Sequence, residues 1–268
     1  MAMTKPTPDA NPLKARAADP AQQAAFLHSV AHELSTPLTP LVGYLKIMLS
    51  GKLGPVNERQ TKVLQSMSHS AEHLALIIDN LVDLADLESG RTELRVGDVH
   101  LADLLSAGIE EARIAGRSKR LTLECLGCTT QVSRGDEAKV RQALANLLDN
   151  AVRYSPHGGV VLGEISERGT AYAVSIYDQG SGMDAAELDR MSQPFSHAAQ
   201  AYPARRPGAG LGLPVARRIA EAHGGGLCAE SPPKTQPLAI HHFAGTRMTL
   251  LLPKAGPPPA PAPPVARG

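Results

Sequence analysis

Two long stretches near the start of the chain repeat apolar side chains at intervals of three and four residues, the spacing of an amphipathic helix. They predict one helix over about residues 20–50 and a second over about 56–89, separated by the glycines and proline of SGKLGPVN. In the first helix the repeating positions are Leu27, Val30, Leu34, Leu38, Leu41, Leu45 and Met48. In the second they are Val63, Met67, Ser70, Leu74, Ile77, Leu81 and Leu84, which step by four and three like a coiled-coil seam.

The short turn between these helices predicts an antiparallel helical hairpin. A lone hairpin cannot bury both apolar rows, so we expect a homodimer in which two hairpins form a four-helix bundle. The alternative is that the hairpin packs against the remainder of its own chain.

The pattern changes after a short polar connector at residues 90–97. Helical periodicity then alternates with strand-like segments such as RLTLEC, VVLGEISERG, AYAVSIYDQG and RMTLLLP. This mixture predicts an α/β sandwich, with helices on one face of a largely antiparallel sheet. The fold class is therefore α+β in two domains, 20–90 and 91–254, between a disordered segment at 1–19 and a proline-rich tail at 255–268.

Composition narrows the function classes. The chain has 268 residues, 43% of them hydrophobic, and a formal net charge of +1. Such a balance gives no electrostatic case for a nucleic-acid partner. No run of apolar residues is long enough for a membrane segment, so we expect a cytoplasmic protein.

Cys125 and Cys128 form a CLGC pair that suggests a zinc or redox site. A zinc site needs four ligands and the chain has no second pair. A thioredoxin-type pair opens a helix, whereas this one follows a strand-like segment. Neither a zinc site nor redox sensing is therefore favoured, and the role of the pair stays open.

His32 lies midway between two positions of the first apolar row, so its ring should face water beside Glu33. Pro37 and Pro40 each remove one helical hydrogen bond, which should bend the helix just after this pair. HELST lacks the second histidine of a HExxH zinc site. His28, one turn earlier, could share a metal with His32, but the sequence places no further ligand nearby.

The helix predicted from ALANLLDNAVRYS carries a polar face on an otherwise apolar element. Asn146, Asn150 and Arg153 share that face, with Tyr154 beside them. Buried amides are costly unless they bind something, and an amide oxygen and a guanidinium suit Mg²⁺ and phosphate respectively. An asparagine ladder that caps a neighbouring loop is the structural alternative.

Two glycine-rich loops complete the candidate site. Asp178 ends a strand and is followed by Gly180 and Gly182, so a carboxylate lies beside backbone that can approach a ligand closely. In the second loop, glycines precede a helix and can expose backbone N–H groups to phosphate. The second set is Gly208, Gly210 and Gly212. Neither loop matches a dinucleotide-binding or Walker motif.

HELSTPLTPLVGYL, NLLDNAVRYS, DQGSGM, QPF, GAGLGL and AGTRMTLLLP occur in that order. They resemble the H, N, G1, F, G2 and G3 boxes of two-component sensor histidine kinases, over about residues 22–253. The resemblance implies a dimerising phosphoacceptor hairpin followed by a GHKL-type ATP-binding domain. It also implies autophosphorylation with ATP and Mg²⁺, and phosphoryl transfer to an aspartate of a response-regulator receiver domain.

By this resemblance His32 is the phosphoacceptor, Glu33 is its general base, and Thr36 completes an ExxT element for dephosphorylation. Asn150 would hold Mg²⁺ and Asp178 would bind adenine. The other residues implied at the nucleotide are Asn146, Arg153, Tyr154, Gly180, Gly182, Phe195, Gly208, Gly210, Leu211, Gly212 and Thr246.

The chain departs from the family pattern in several places. Arg153 stands where lysine is usual, Met191 and Met248 stand where aromatic residues are common, and SPPKTQPLAIHHFA lengthens the turn between Glu230 and Gly245. The predicted lid, about 183–207, carries Arg205 and Arg206, which could neutralise phosphate charge. Three alternatives remain: a GHKL ATPase, a phosphatase-biased protein, and a non-catalytic dimeric scaffold for a receiver domain.

Overall fold

A computed structural model describes residues 20–88, 94–191, 193 and 210–258. The hairpin has the predicted form, with α1 over Pro20–Leu49 and α2 over Glu58–Glu88. Helix α1 continues through both of its prolines. In the turn, Gly51 and Gly54 adopt positive φ angles of 72° and 114°, a conformation that glycine tolerates without strain. The predicted disordered segment and most of the proline-rich tail lie outside the described residues.

The second part is a mixed five-stranded sheet of order β2-β4-β5-β7-β6, with an additional two-stranded sheet of β1 and β3. The strands are β1 Gly97–His100, β2 Thr122–Leu126, β3 Val132–Gly135, β4 Val160–Arg168, β5 Ala171–Asp178, β6 Gly226–Glu230 and β7 Arg247–Pro253. The helices are α3 Leu101–Gly116, α4 Glu137–Tyr154, α5 Ala185–Arg190 and α6 Gly212–Ala222. Only the β2–β4 pairing is parallel among the strands described. The predicted fold class is confirmed.

The sequence pattern missed β1 and β6. Both are short and rich in small or polar residues, GDVH and GLCAE. Their burial comes from neighbouring strands rather than from an alternating pattern of their own. Strand β6 extends the main sheet by pairing with β7.

The main core lies between the helices and one face of the sheet, where α3, α4 and α6 contribute most of the buried side chains. A smaller core lies on the opposite face and is formed by Val160, Leu162, Tyr177 and Phe243. Phe243 belongs to the long segment between β6 and β7, and its ring centroid lies 5.5 Å from that of Tyr177. The long segment therefore covers the sheet face that carries no helix.

The coiled-coil row predicted in α2 does not form the contact within the hairpin of a single chain. The helices meet instead through Ala31, Leu38, Leu45, Leu64, Ala71 and Ile78. Val63, Met67 and Leu74 of the predicted row are exposed, whereas Leu84 is buried in the main core with Ile77 and Leu81 packed against it. The C-terminal end of this row thus contacts the second domain. This contact corresponds to the alternative in which the hairpin packs against the remainder of its own chain.

The CLGC pair lies at the end of edge strand β2, where a disulfide joins Cys125 and Cys128. Among the described ranges, no group of three or more histidine, cysteine or acidic side chains is arranged to hold a metal ion. His28 has a different partner, because its Nε2 lies 2.5 Å from Oδ1 of Asp86 in α2. Within the described part of the chain, no helix has the length and apolar character that a membrane span requires.

Candidate nucleotide and phosphoacceptor sites

The candidate phosphoacceptor lies on the exposed face of α1. His32 and Glu33 are both exposed, as the position of the histidine in the apolar pattern predicts. One turn later, the Thr36 hydroxyl donates a hydrogen bond of 2.8 Å to the backbone carbonyl of His32. The imidazole is thus accessible, and a carboxylate and a hydroxyl lie within one helical turn of it.

Asp178 is the buried carboxylate of the candidate nucleotide site. Its Oδ1 accepts hydrogen bonds from the backbone N–H groups of Gly180, at 2.7 Å, and Thr246, at 3.2 Å. Burial raises the pKa of Asp178 to about 6, although these two hydrogen bonds act in the opposite direction. Its Oδ2 accepts no hydrogen bond from the described residues, so this oxygen can accept one from a ligand.

The glycines around Asp178 leave room that side chains would fill. A Cβ on Gly180 would lie 2.7 Å from Asp178 Oδ1 and 2.9 Å from the carbonyl oxygen of Tyr154. Gly182 has a φ of +71°, and a Cβ there would lie 2.7 Å from Ser231 Oγ. Close packing of backbone, rather than flexibility alone, therefore requires glycine in this loop.

Helix α4 presents its polar side chains in three different environments. Asn150 is half-buried, and its amide makes no hydrogen bond to the described residues. Arg153 Nη2 lies 2.7 Å from Oδ2 of Asp149, so its charge is partly neutralised by its own helix. Tyr154 is half-buried at the end of α4. Lys119 caps that end, since its Nζ donates to the carbonyl oxygens of Val152, Arg153 and Ser155.

Asn146 is the buried member of this face, and it contacts the helical hairpin. Its amide exchanges two long hydrogen bonds, of 3.3 and 3.4 Å, with the amide of Asn80 in α2. It also lies beside Gly212, where a Cβ would come within 3.4 Å of the Asn146 side chain. Asn80 could not be predicted from the sequence, because a single amide in α2 does not indicate an interdomain contact.

The second glycine loop leads into α6. Gly210 has a φ of +68°, Leu211 is buried at the start of the helix, and Gly212 is its first residue. Thr246 is buried at the other end of the site, and its carbonyl oxygen accepts a hydrogen bond of 2.9 Å from the backbone N–H of Asp178. Phe195, Gly208 and most of the predicted lid, including Arg205 and Arg206, lie outside the described residues.

These elements meet the requirements of an adenine-nucleotide pocket. A buried carboxylate with one free oxygen can accept a hydrogen bond from an exocyclic amine. An amide oxygen without an internal partner is a suitable Mg²⁺ ligand. The glycines admit a ligand close to the backbone. The residues described therefore fit both ATP and the metal ion that accompanies it.

Comparison with known proteins agrees with this geometry. Residues 22–90 match the His Kinase A (phospho-acceptor) domain family. Residues 135–256 match the family described as histidine kinase-, DNA gyrase B- and HSP90-like ATPases. The predicted resemblance is confirmed by these two matches, which together cover most of the described chain.

Curated relatives include the circadian input-output histidine kinase CikA of Synechococcus elongatus, which is 32% identical over 215 residues. The aligned part is 79% of this chain and 28% of CikA. The sensor protein TorS of Escherichia coli is 32% identical over 223 residues, which are 81% of this chain and 24% of TorS. The chain thus spans about a quarter of the length of these relatives.

Two solved structures share the fold. ShkA, crystallised full-length in complex with AMPPNP, gives a TM-score of 0.65 at 23% identity, covering 89% of this chain and 47% of ShkA. The histidine kinase AdeS of Acinetobacter baumannii gives a TM-score of 0.54 at 23% identity, covering 83% of this chain and 98% of that structure.

Proposed function

The chain belongs to the sensor histidine kinases, and we propose that it autophosphorylates at His32 with ATP and passes the phosphoryl group to an aspartate of a response-regulator receiver domain. One observation carries the proposal: an exposed histidine with an adjacent carboxylate lies on a helix of the same chain that holds Asp178, a buried carboxylate flanked by glycines. We further propose that residues 20–90 and 91–254 are the two functional domains, and that both reactions take place in the cytoplasm.

In the first reaction a ring nitrogen of His32 attacks the γ-phosphorus of ATP. The bond from that phosphorus to the β,γ-bridging oxygen breaks, and ADP leaves with the bonding electron pair. Glu33 accepts the proton from the other ring nitrogen, which keeps the phosphorylated ring neutral. In the second reaction the receiver's carboxylate attacks the phosphorus, and the histidine is the leaving group.

The residues of the pocket have separate roles in binding. Asp178 accepts the 6-amino hydrogen of adenine, and Asn150 offers its amide oxygen to Mg²⁺. Asn150 would hold the Mg²⁺ ion, which when bound would supply positive charge against the phosphates. The other residues proposed to bind the nucleotide are Asn146, Arg153, Tyr154, Phe195, Gly180, Gly182, Gly208, Gly210, Leu211, Gly212 and Thr246, with Asn146 and Arg153 near the phosphates.

The protein acts as a homodimer with a receiver domain as its partner. Leu34, Leu41 and Met48 form an exposed row along α1, and Val63, Met67 and Leu74 form another along α2. These two rows are the surface for a second hairpin. Thr36, one turn after the phosphoacceptor, supports a phosphatase activity toward the same regulator, with Glu33 and Thr36 orienting a water molecule.

The ATPase alternative needs an acidic residue near the phosphates that can activate water. Asp149 is the acid next to Asn150, and it is paired with Arg153 on its own helix. This pairing disfavours a role as general base, because Oδ2 of Asp149 is engaged by Arg153 rather than available to a water molecule.

Incubation with γ-labelled ATP and Mg²⁺ tests the proposal. The wild-type protein should acquire label that is acid-labile and base-stable, and His32→Gln should acquire none. His28→Gln is the matched control, since this histidine lies one turn away in α1 but is paired with Asp86. ATP binding without label on the protein would contradict the kinase assignment and favour the scaffold or phosphatase alternatives.

A further inference from the structure

The hydroxyl group of Ser231 joins two loops that flank the nucleotide carboxylate. Ser231 Oγ accepts a hydrogen bond of 2.7 Å from the backbone N–H of Met183, and it donates one of 2.9 Å to the carbonyl oxygen of Gly245. Met183 ends the loop that begins at Asp178, and Gly245 precedes β7. This side chain therefore links the two backbone segments, in addition to the hydrogen bonds between Asp178 and Thr246.

The segment around Gly245 determines where the carboxylate of Asp178 can lie. A Cβ on Gly245 would be 2.1 Å from Asp178 Oδ1 and 2.4 Å from the backbone nitrogen of Gly180. The next residue, Thr246, donates its N–H to the same Oδ1. A displacement of this segment would therefore move the carboxylate or remove one of its two hydrogen bonds.

The segment between Ser231 and Gly245 is long, so a contact that holds its two ends in place is needed. Its far part is held by Phe243, which is fully buried, and by Gln236, whose side chain bonds the backbone N–H and carbonyl of Phe243. Gln179 Nε2 also donates to the carbonyl of His242. These contacts lie on the outer face of the sheet, and closing a longer loop costs more conformational entropy. Ser231 closes the base of the loop, where the loop meets the nucleotide site.

We propose that Ser231 is a positioning residue for Asp178, and that it thereby determines how strongly the pocket selects nucleotides with a 6-amino purine. Ser231 acts through Met183 and Gly245 and does not touch the nucleotide. This inference rests on the proposed function, because it assigns the recognition of adenine to Asp178.

The test compares Ser231→Ala with Ser175→Ala. Ser175 is buried, and its hydroxyl is hydrogen-bonded at 2.9 Å to the hydroxyl of Thr249 across strands β5 and β7 rather than to either loop. Dissociation constants are measured for ATP and for inosine triphosphate, in which a carbonyl oxygen replaces the 6-amino group. Ser231→Ala removes both hydrogen bonds of this hydroxyl, and the resulting loss of one of the two hydrogen bonds to Asp178 predicts about a tenfold weaker binding of ATP. The preference for ATP over inosine triphosphate should fall with it, whereas Ser175→Ala should keep the wild-type preference.

The preference is a ratio, so partial unfolding of a variant does not change it. Ser231→Thr retains the hydroxyl group and should therefore keep the wild-type preference for ATP over inosine triphosphate. Transfer of phosphoryl groups from already labelled protein to a receiver domain should be unaffected by Ser231→Ala, because that step does not use the nucleotide. An unchanged preference in Ser231→Ala overturns the inference while leaving the proposed function intact. Failure of the wild-type protein to bind ATP or to prefer it overturns the proposed function instead.

Discussion

The helical hairpin and the ATP-binding domain differ in how many of their large apolar side chains are buried. The hairpin buries a small cluster of six residues and leaves many leucine, valine and methionine side chains exposed along both helices. The ATP-binding domain collects most of its apolar residues into one large core. Within the described residues, its exposed large apolar side chains are scattered and few.

This difference indicates that the two regions reach stability in different ways. The ATP-binding domain completes its core within one chain, since the sheet, three helices and the end of α2 around Leu84 enclose it. The hairpin has only two layers and cannot enclose the outer apolar rows. The dimerisation that we propose would therefore bury apolar surface of the hairpin rather than of the ATP-binding domain.

Substituting an exposed apolar residue in each region gives the largest expected contrast. Leu41→Asp should weaken dimerisation, because a two-fold interface loses two leucine contacts of about 2 kcal/mol each, or roughly a thousandfold in the dissociation constant. Ile114→Asp in α3 is the matched control, as Ile114 is 64% exposed and Leu41 45%. Sedimentation equilibrium measures both. Equal effects of the two changes would contradict the proposed difference between the regions.

Removing the buried charge of the ATP-binding domain should increase stability while abolishing adenine recognition. The pKa of Asp178 rises from 3.8 to about 6, so its ionised form costs the folded state about 3 kcal/mol near neutral pH. The folded state binds the proton more tightly than the unfolded state. The stability contribution of Asp178 is therefore intact below about pH 4 and is lost as the pH rises to about 6.

Asp178→Asn should accordingly exceed the wild-type protein in free energy of unfolding by about 2–3 kcal/mol at pH 7, with the difference vanishing near pH 4. Urea unfolding across this pH range is the measurement. Asp149→Asn is the control, because its carboxylate is half-exposed and should change stability by less than about 0.5 kcal/mol. A gain in stability that does not depend on pH would rule out this account.

The smallest expected effect concerns the contact between the two regions. Asp83 of α2 accepts hydrogen bonds from Lys139, at 2.5 Å, and from Gln142, both in α4. Burial and repulsion by Asp83 also raise the pKa of the neighbouring Asp79. A partly buried ion pair that joins two domains should couple their stabilities.

A double-mutant cycle with Asp83→Asn and Lys139→Met should give a coupling energy of about 1 kcal/mol in urea unfolding. The pair Glu137–Arg141 provides the control cycle, since it is exposed and lies within α4 alone. For this control pair we expect a coupling energy of about 0.3–0.5 kcal/mol. A coupling no larger than the control would show that the two regions do not depend on this contact.

Much of the architecture could be predicted because it follows from local periodicity. Both helices of the hairpin, α4 and the strands β4, β5 and β7 have patterns that repeat within the element itself. Strands β1 and β6 could not be predicted in this way, because each is short and its partners supply its burial. The partner of each apolar row of α2 could not be predicted for a related reason: several rows of this helix are apolar, and the pattern does not say which row meets which partner.

In the candidate site, too, local features could be predicted from the sequence and contacts between distant segments could not. The sequence indicated which residue types were available, including His32 beside Glu33, the amides of α4 and Asp178 among its glycines. It could not show that Asn146 bonds Asn80 of the hairpin, or that Ser231 links Met183 to Gly245. These partners lie 66, 48 and 14 positions apart in the chain.

The sequence by itself determined the fold class and the family, and it indicated candidate residues for the chemistry, because periodicity and ordered motifs are local properties of a chain. The tertiary structure decided which apolar rows are buried, which amide is engaged and how the carboxylate of Asp178 is held. Those outcomes depend on distances between segments far apart in sequence, which only the packed fold sets.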